Sequence, residues 1–250
     1  MKPSARQKGT IDLSPAYEAT TAFGSDTAVV ERDFLRQVFA WMFLALAVTT
    51  GVAIYFHQSN AALNFFARHT AIFYIALFGQ LGMVFALSGI LNSQRVSVRA
   101  AALIFFLYAG LTGLVFSILL DVYTTDSIVG AFAGACGVFA GMATVGYTTR
   151  VDLGRYGGLL FGALIGLVVA SVAYVFTGGG AFNLVLGYLG VLVFSGLTAY
   201  DIQRIKAMRS QGFANAETAE KLAIFGALRL YLDFINLFIS LLRIFGGARR

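Results

Sequence analysis

Most charged residues lie between long apolar runs or at their ends; the exceptions are Asp201, Arg229 and Asp233. A charge placed in hydrocarbon costs roughly 3 kcal/mol or more, so such residues face the protein interior and find partners. The last apolar run reads GALRLYLDFINLFISLLRIFG, and its polar members are Arg229, Asp233, Asn236, Ser240 and Arg243. Their spacing is 4, 3, 4, 3. At about 100° per residue, the five fall within an arc of roughly 80°. This is one polar stripe on a helix otherwise built of Leu, Ile and Phe. Turned to lipid it would be costly, so the stripe predicts a central helix with its polar face inward.

Asp201 closes the preceding apolar run, just before Arg204 and Lys206. Asp233 lies one turn beyond Arg229, about 6 Å along the helix axis. The two carboxylates are therefore expected at similar depth, near the same end of neighbouring helices. Two carboxylates in a low-dielectric site cannot both ionise cheaply, and they titrate as a unit. Such a pair senses protons, and deprotonated it attracts a hard cation such as Ca²⁺, which prefers oxygen ligands. Thr198, Tyr200 and Asn236 are the nearby oxygen donors. The same residues allow a plainer arrangement: Asp233 paired with Arg229 four residues away, and Asp201 with Arg204 at the surface. Spacing alone leaves both open.

These residues sit in a chain of 250 amino acids that is 58% hydrophobic and 12% charged, with a mean hydropathy of +0.79. Soluble domains carry about 25% charged residues. The 28 glycines and two prolines, Pro3 and Pro15, exclude a collagen-like chain. The composition fits an all-α, multi-pass membrane protein. A single cysteine, Cys136, excludes an intrachain disulfide, and its apolar, glycine-flanked setting predicts a small packing residue. His57 and His69 are twelve apart and match no metal spacing. The net charge of +6 is carried between apolar runs, which points to orientation in a bilayer rather than to nucleic acid.

Seven runs approach the ~20 residues needed to cross hydrocarbon: 35–56, 71–91, 100–120, 128–148, 157–177, 181–201 and 223–245. Unpaired backbone is not tolerated in lipid, so all seven are predicted helices. Residues 1–33 lack a sustained apolar period and are expected to form a solvated, largely disordered cytoplasmic tail ahead of a seven-helix domain over 34–250. They do not read as a signal peptide, because the first apolar run is too long for one. The stretch 202–221 reads as a long polar loop.

Basic residues alternate between connections. Lys2, Arg6, Lys8, Arg32 and Arg36 precede or open the first run, Arg95 and Arg99 follow the second, Arg150 and Arg155 the fourth, and Arg204, Lys206, Arg209 and Lys221 the sixth. The 57–70 connection has Arg68 alone, and 121–127 and 178–180 have none. The basic side is the cytoplasm, so the N-terminus is expected inside. Seven crossings then put the C-terminus outside, against the basic character of Arg243, Arg249 and Arg250. Gly130, Gly134, Gly137 and Gly141, and Gly158, Gly162 and Gly166, are expected to bring helices into close contact within the chain, or on a homodimer face.

Three stretches resemble bacterial members of the Bax inhibitor-1 (TMBIM) family: YTTRVDLGRYGGLLFGALIGLVVASVAYVF (147–176), VLVFSGLTAYDIQRIKAM (191–208) and GALRLYLDFINLFISLLRIFGG (226–247). TAYDIQ and LYLDFINLF are the specific segments. The resemblance implies seven helices with the last enclosed by six, and an aspartate-pair pH sensor made of Asp201 and Asp233. It implies a pH-dependent Ca²⁺ leak through a bacterial inner membrane, with Ca²⁺ as the transported ion; as deprotonated carboxylates, Asp201 and Asp233 are its candidate ligands. It also implies a latch arginine for the span-six aspartate. The second run contains no arginine, so Arg95, Arg99 and Arg229 are the candidates, with Tyr200 and Asn236 in support.

A second reading makes the chain a non-conducting regulator of a membrane-bound ATP-dependent protease or a stress or cell-death partner, contacted through residues 1–33. No cofactor and no enzymatic activity are expected. Retinal binding needs a buried lysine, and the four lysines lie in the tail or the 202–221 stretch. No GxSxG or HExxH motif is present, and GLTAYD (196–201) does not supply the GxGD of aspartyl intramembrane proteases.

Overall fold

A computed structural model describes residues 14–59, 61–69, 71, 75, 79, 80, 97–210 and 216–246. Among these residues the regular elements are helices: α1 (Ser14–Ser59), α2 (Ala61–Arg68), α3 (Val98–Val122), α4 (Thr125–Thr148), a 3₁₀ turn (Leu153–Tyr156), α5 (Gly157–Thr177), α6 (Gly180–Ser210) and α7 (Ala216–Phe245). Six stretches are long and apolar enough to cross a membrane: Phe34–Ser59, Val98–Val122, Thr125–Thr148, Leu153–Thr177, Gly180–Met208 and Ala216–Phe245. They match six of the seven apolar runs. The run 71–91 lies outside the described residues, apart from single positions in it.

Two boundaries differ from the sequence reading. The backbone of α1 is helical from Ser14, inside the segment expected to lack structure. Pro15 falls in the first turn, where its missing N–H would have had no partner in any case. The second difference is at the far end of α6, which runs past Asp201 to Ser210 through the expected loop. The polar side chains of this extension have partners. Gln203 Oε1 accepts from Leu153 N at 2.8 Å, and its Nε2 donates to Val151 O at 2.8 Å. Lys206 Nζ donates to Tyr147 O at 3.2 Å. The α4–α5 connection thus docks on the extended helix, and the helix formers there keep their backbone bonds.

Caps fix the other ends. Ser97 accepts from Ala100 N ahead of α3, and Thr124 accepts from Ser127 N ahead of α4. Between α5 and α6, Gly178 and Gly179 take φ of 65° and 104°, a left-handed reversal that side chains with a Cβ resist. At the same end of the bundle, His57 Nδ1 lies 2.8 Å from Asp121 Oδ1, tying the end of α1 to the end of α3.

The last helix, α7, packs against α1, α3, α4 and α6. Of its apolar window 67% is buried, against 39% for the next most buried span. Phe234 meets Phe132 and Phe139 edge-on, each at 5.6 Å between centroids, and Phe238 lies 5.7 Å from Phe116.

Glycines do bring helices together, but of those the spacing singles out only Gly134 meets another helix, at Leu241 and Phe245 of α7. A Cβ at Gly130, Gly137, Gly141, Gly158, Gly162 or Gly166 would meet nothing within 4 Å. The apolar window of α5 has none of its residues buried, so its glycine stripe faces outward. Closer approaches occur elsewhere, among them Gly113 against Thr49, Gly146 against the backbone of Ala199, and Gly187 and Gly190 against Ser240. Periodicity identifies a smooth face but not which neighbour it meets. Cys136, expected to pack, is exposed on α4.

Candidate functional site

Asp201 sits two-thirds of the way along α6, where that helix crosses α7. Its residue is 6% exposed, and Asp233 on α7 is 5% exposed. Neither carboxylate is left to the surface, so each requires charge or hydrogen-bond compensation. Arg229 supplies it to Asp201: Nη1 donates to Oδ1 at 2.7 Å. The guanidinium carbon also lies 4.9 Å from the centre of the Phe225 ring, a cation–π contact that fixes the arginine stem. Asp233, one turn further along α7, is within electrostatic reach of both Asp201 and Arg229. Its Oδ2 is buried with no hydrogen-bond partner among the described residues.

This arrangement differs from the plainer one that spacing allows. Arg229 reaches across to Asp201 instead of along its own helix to Asp233. Arg204 donates to the hydroxyl of Tyr200 at 3.2 Å, not to Asp201. An i,i+4 pair on an exposed helix contributes only about 0.3–0.5 kcal/mol. A buried carboxylate left without a counter-charge costs several times that. Arg229 therefore serves the helix crossing.

The supporting residues are distributed unevenly. Tyr200 turns towards the start of α5, where its hydroxyl would lie 3.0 Å from a Cβ on Gly157. Thr198 Oγ1 donates to Phe194 O at 2.7 Å, and Asn236 Nδ2 donates to Leu232 O at 2.8 Å. Both donate along their own helices, and Asn236 Oδ1 is an oxygen acceptor one turn beyond Asp233 on α7. Ser240 Oγ donates to Asn236 O at 2.7 Å. Arg243, at the far end of the stripe, reaches Ser171 Oγ at 3.5 Å. Of the other latch candidates, Arg99 is exposed near the start of α3, and Arg95 lies outside the described residues. Among the described residues, no three of His, Cys, Asp and Glu cluster as metal ligands.

One polar group near the site has no counterpart in the sequence reading. The Tyr231 hydroxyl lies 2.7 Å from Thr49 Oγ1, which also contacts Ala45 O and Ala109 O, each at 3.0 Å. Tyr108 and Phe105 of α3 pack edge-on against the Tyr231 ring at 6.1 and 5.6 Å. Thr112 Oγ1, one turn along α3, donates to Tyr108 O at 3.0 Å. This buried hydroxyl cluster joins α1, α3 and α7 two residues from Asp233. The available signal was Thr49 itself, a hydroxyl within an apolar run that must find an acceptor.

Residues 31–250 match the family model described as inhibitor of apoptosis-promoting Bax1. The chain is 41% identical over 217 residues to the inner membrane protein YbhL of Escherichia coli K12, covering 86% of this chain and 92% of YbhL. It is 41% identical over 219 residues to a protein of Deinococcus radiodurans, covering 87% and 91% of the two chains. A Borreliella burgdorferi protein is 36% identical over 221 residues, with 88% and 94% covered.

Proposed function

The chain belongs to the family of inhibitors of apoptosis-promoting Bax1, and from that premise we propose that it is a pH-sensitive calcium leak channel of the bacterial inner membrane. Its sensor is the acidic pair Asp201 and Asp233, with Arg229 as the latch. In this reading the run 71–91 completes seven spans, α7 is the enclosed helix, and the N-terminus lies in the cytoplasm.

The observation that carries the proposal is the uneven compensation of two buried carboxylates. One guanidinium bonds Asp201 at 2.7 Å, while Asp233 keeps a buried oxygen without a hydrogen-bond partner. A proton gained or lost by the pair changes which carboxylate draws Arg229. Because Asp201 is on α6 and Arg229 on α7, that exchange loosens or tightens the crossing of the two helices. Coupling a charge change to a two-state helix contact is what a protonation switch requires.

Calcium is the cargo. With the latch withdrawn, the two carboxylates offer the oxygen ligands a hard divalent cation prefers, and the Asn236 carbonyl adds a neutral one. The proposal is tested by calcium flux into vesicles holding the purified chain. A silent protein would favour the non-conducting regulator of a membrane-bound protease or stress partner.

A further inference from the structure

At the basic end of the bundle, an apolar groove of about 230 Å³ opens between α1, α4 and α6, lined by Leu35, Phe39, Ala143, Thr144, Tyr147 and Ile202. Sites for drug-sized ligands and cofactors occupy about 300–1,000 Å³, so this groove suits a chain rather than a ring system. Apart from the Tyr147 hydroxyl, its walls offer little recognition for a polar ligand. The Thr144 hydroxyl donates to Ala140 O at 2.8 Å, which leaves the methyl as the group available to the groove. The Tyr147 carbonyl is taken by Lys206.

Charge is confined to the rim. Lys206 Nζ stands 4.6 Å from the centre of the Tyr147 ring, with further N–H groups beyond the one given to the carbonyl. Arg36 follows Leu35, and Arg150 lies three residues past Tyr147; both are exposed. The nearby loop carboxylate, Asp152, is engaged by Gly154 N at 2.9 Å and Arg155 at 3.8 Å. Among the described residues, no carboxylate pairs with Arg150 or Lys206.

We propose that this groove is a binding site for an anionic phospholipid, with one acyl chain between α1, α4 and α6 and the phosphate held by Lys206. An apolar slot facing lipid accepts an acyl chain of any phospholipid. Lys206 and Arg150 at the rim make the site selective for a headgroup with net negative charge. The proposal does not depend on whether the chain conducts.

The chain's single tryptophan, Trp41, packs 5.7 Å from Phe106 on α3. A variant carrying Trp41→Phe and Phe39→Trp moves the fluorophore into the groove, and Tyr147→Trp with Trp41→Phe is a second reporter should the first not fold. Each is reconstituted in phosphatidylcholine vesicles doped with either dibrominated phosphatidylglycerol or dibrominated phosphatidylcholine. The glycerol lipid should half-quench the groove reporter at about a fivefold lower share of the bilayer than the choline lipid. Lys206→Gln should remove that preference. Equal quenching by the two lipids, or a preference undiminished by Lys206→Gln, overturns the proposal.

Discussion

Arg229 of α7 bonds Asp201 of α6 across 28 residues of chain, passing over Asp233 four positions away on its own helix. The pair is only partly shielded, since the Arg229 side chain is 27% exposed and that of Asp201 is 9% exposed. Removing one partner of a fully buried pair costs about 3–5 kcal/mol. Arg229→Gln should therefore destabilise the protein by about 2–3 kcal/mol, because water reaches the arginine end of the contact. Adding Asp201→Asn should recover most of the loss. Thermal unfolding in detergent of the two single variants and the double variant measures the coupling. Additive losses would remove the pair from the account.

The Thr49–Tyr231 contact is expected to stabilise the bundle on its own account. Tyr231→Phe keeps the ring packed against Phe105 and Tyr108 but deletes the hydroxyl. Thr49 retains two carbonyl acceptors, so the loss should be about 1 kcal/mol. Tyr231→Ala should cost about 3–5 kcal/mol, through the cavity it leaves. The same unfolding measurement distinguishes the two, and similar losses for both would show that the ring contributes little.

Gly146 and Gly162 should respond oppositely to a side chain. A Cβ at Gly146 would lie 2.8 Å from Ala199 Cα, and backbone cannot step aside without separating α4 from α6. Gly146→Leu should destabilise by about 3 kcal/mol or more and lower the yield of monodisperse protein. Gly162→Leu meets open space and should leave stability within about 0.5 kcal/mol. Equal behaviour at the two positions would contradict the assignment of close contacts. Association of the purified chain through the α5 stripe would show up separately, as an oligomer sensitive to Gly162→Leu.

How much of this was legible in the sequence follows from which forces act locally. The stripe from Arg229 to Arg243 is a property of one helix, and its 4, 3, 4, 3 spacing shows without knowledge of any neighbour. The apolar runs are equally local, and six reappear as helices. What the sequence could not show depended on a second helix. Arg229 has a carboxylate within reach on either side, and only the crossing of α6 and α7 favours Asp201. The extension of α6 past Asp201 rests on Gln203 and Lys206 finding backbone partners in the α4–α5 connection. The glycines of α4 and α5 recur every three or four residues, yet Gly146, which has no place in either series, packs against the backbone of Ala199.

Residues 1–33 are expected to serve contacts with other proteins rather than conduction. Deleting them leaves the apolar part of α1, Phe34–Ser59, intact. Calcium flux in vesicles should then stay within about twofold of the full chain. Loss of flux would place part of the conducting structure in the deleted segment.

The central claim is that Asp201 and Asp233 set the response to protons. Calcium uptake into vesicles holding the purified chain is measured at about pH 6 and about pH 8 for the unaltered protein, Asp201→Asn and Asp233→Asn. The account predicts flux that changes with pH in the unaltered protein and flattens in each variant, because a neutral amide cannot exchange the proton that moves Arg229. An unchanged pH response in both variants would contradict it.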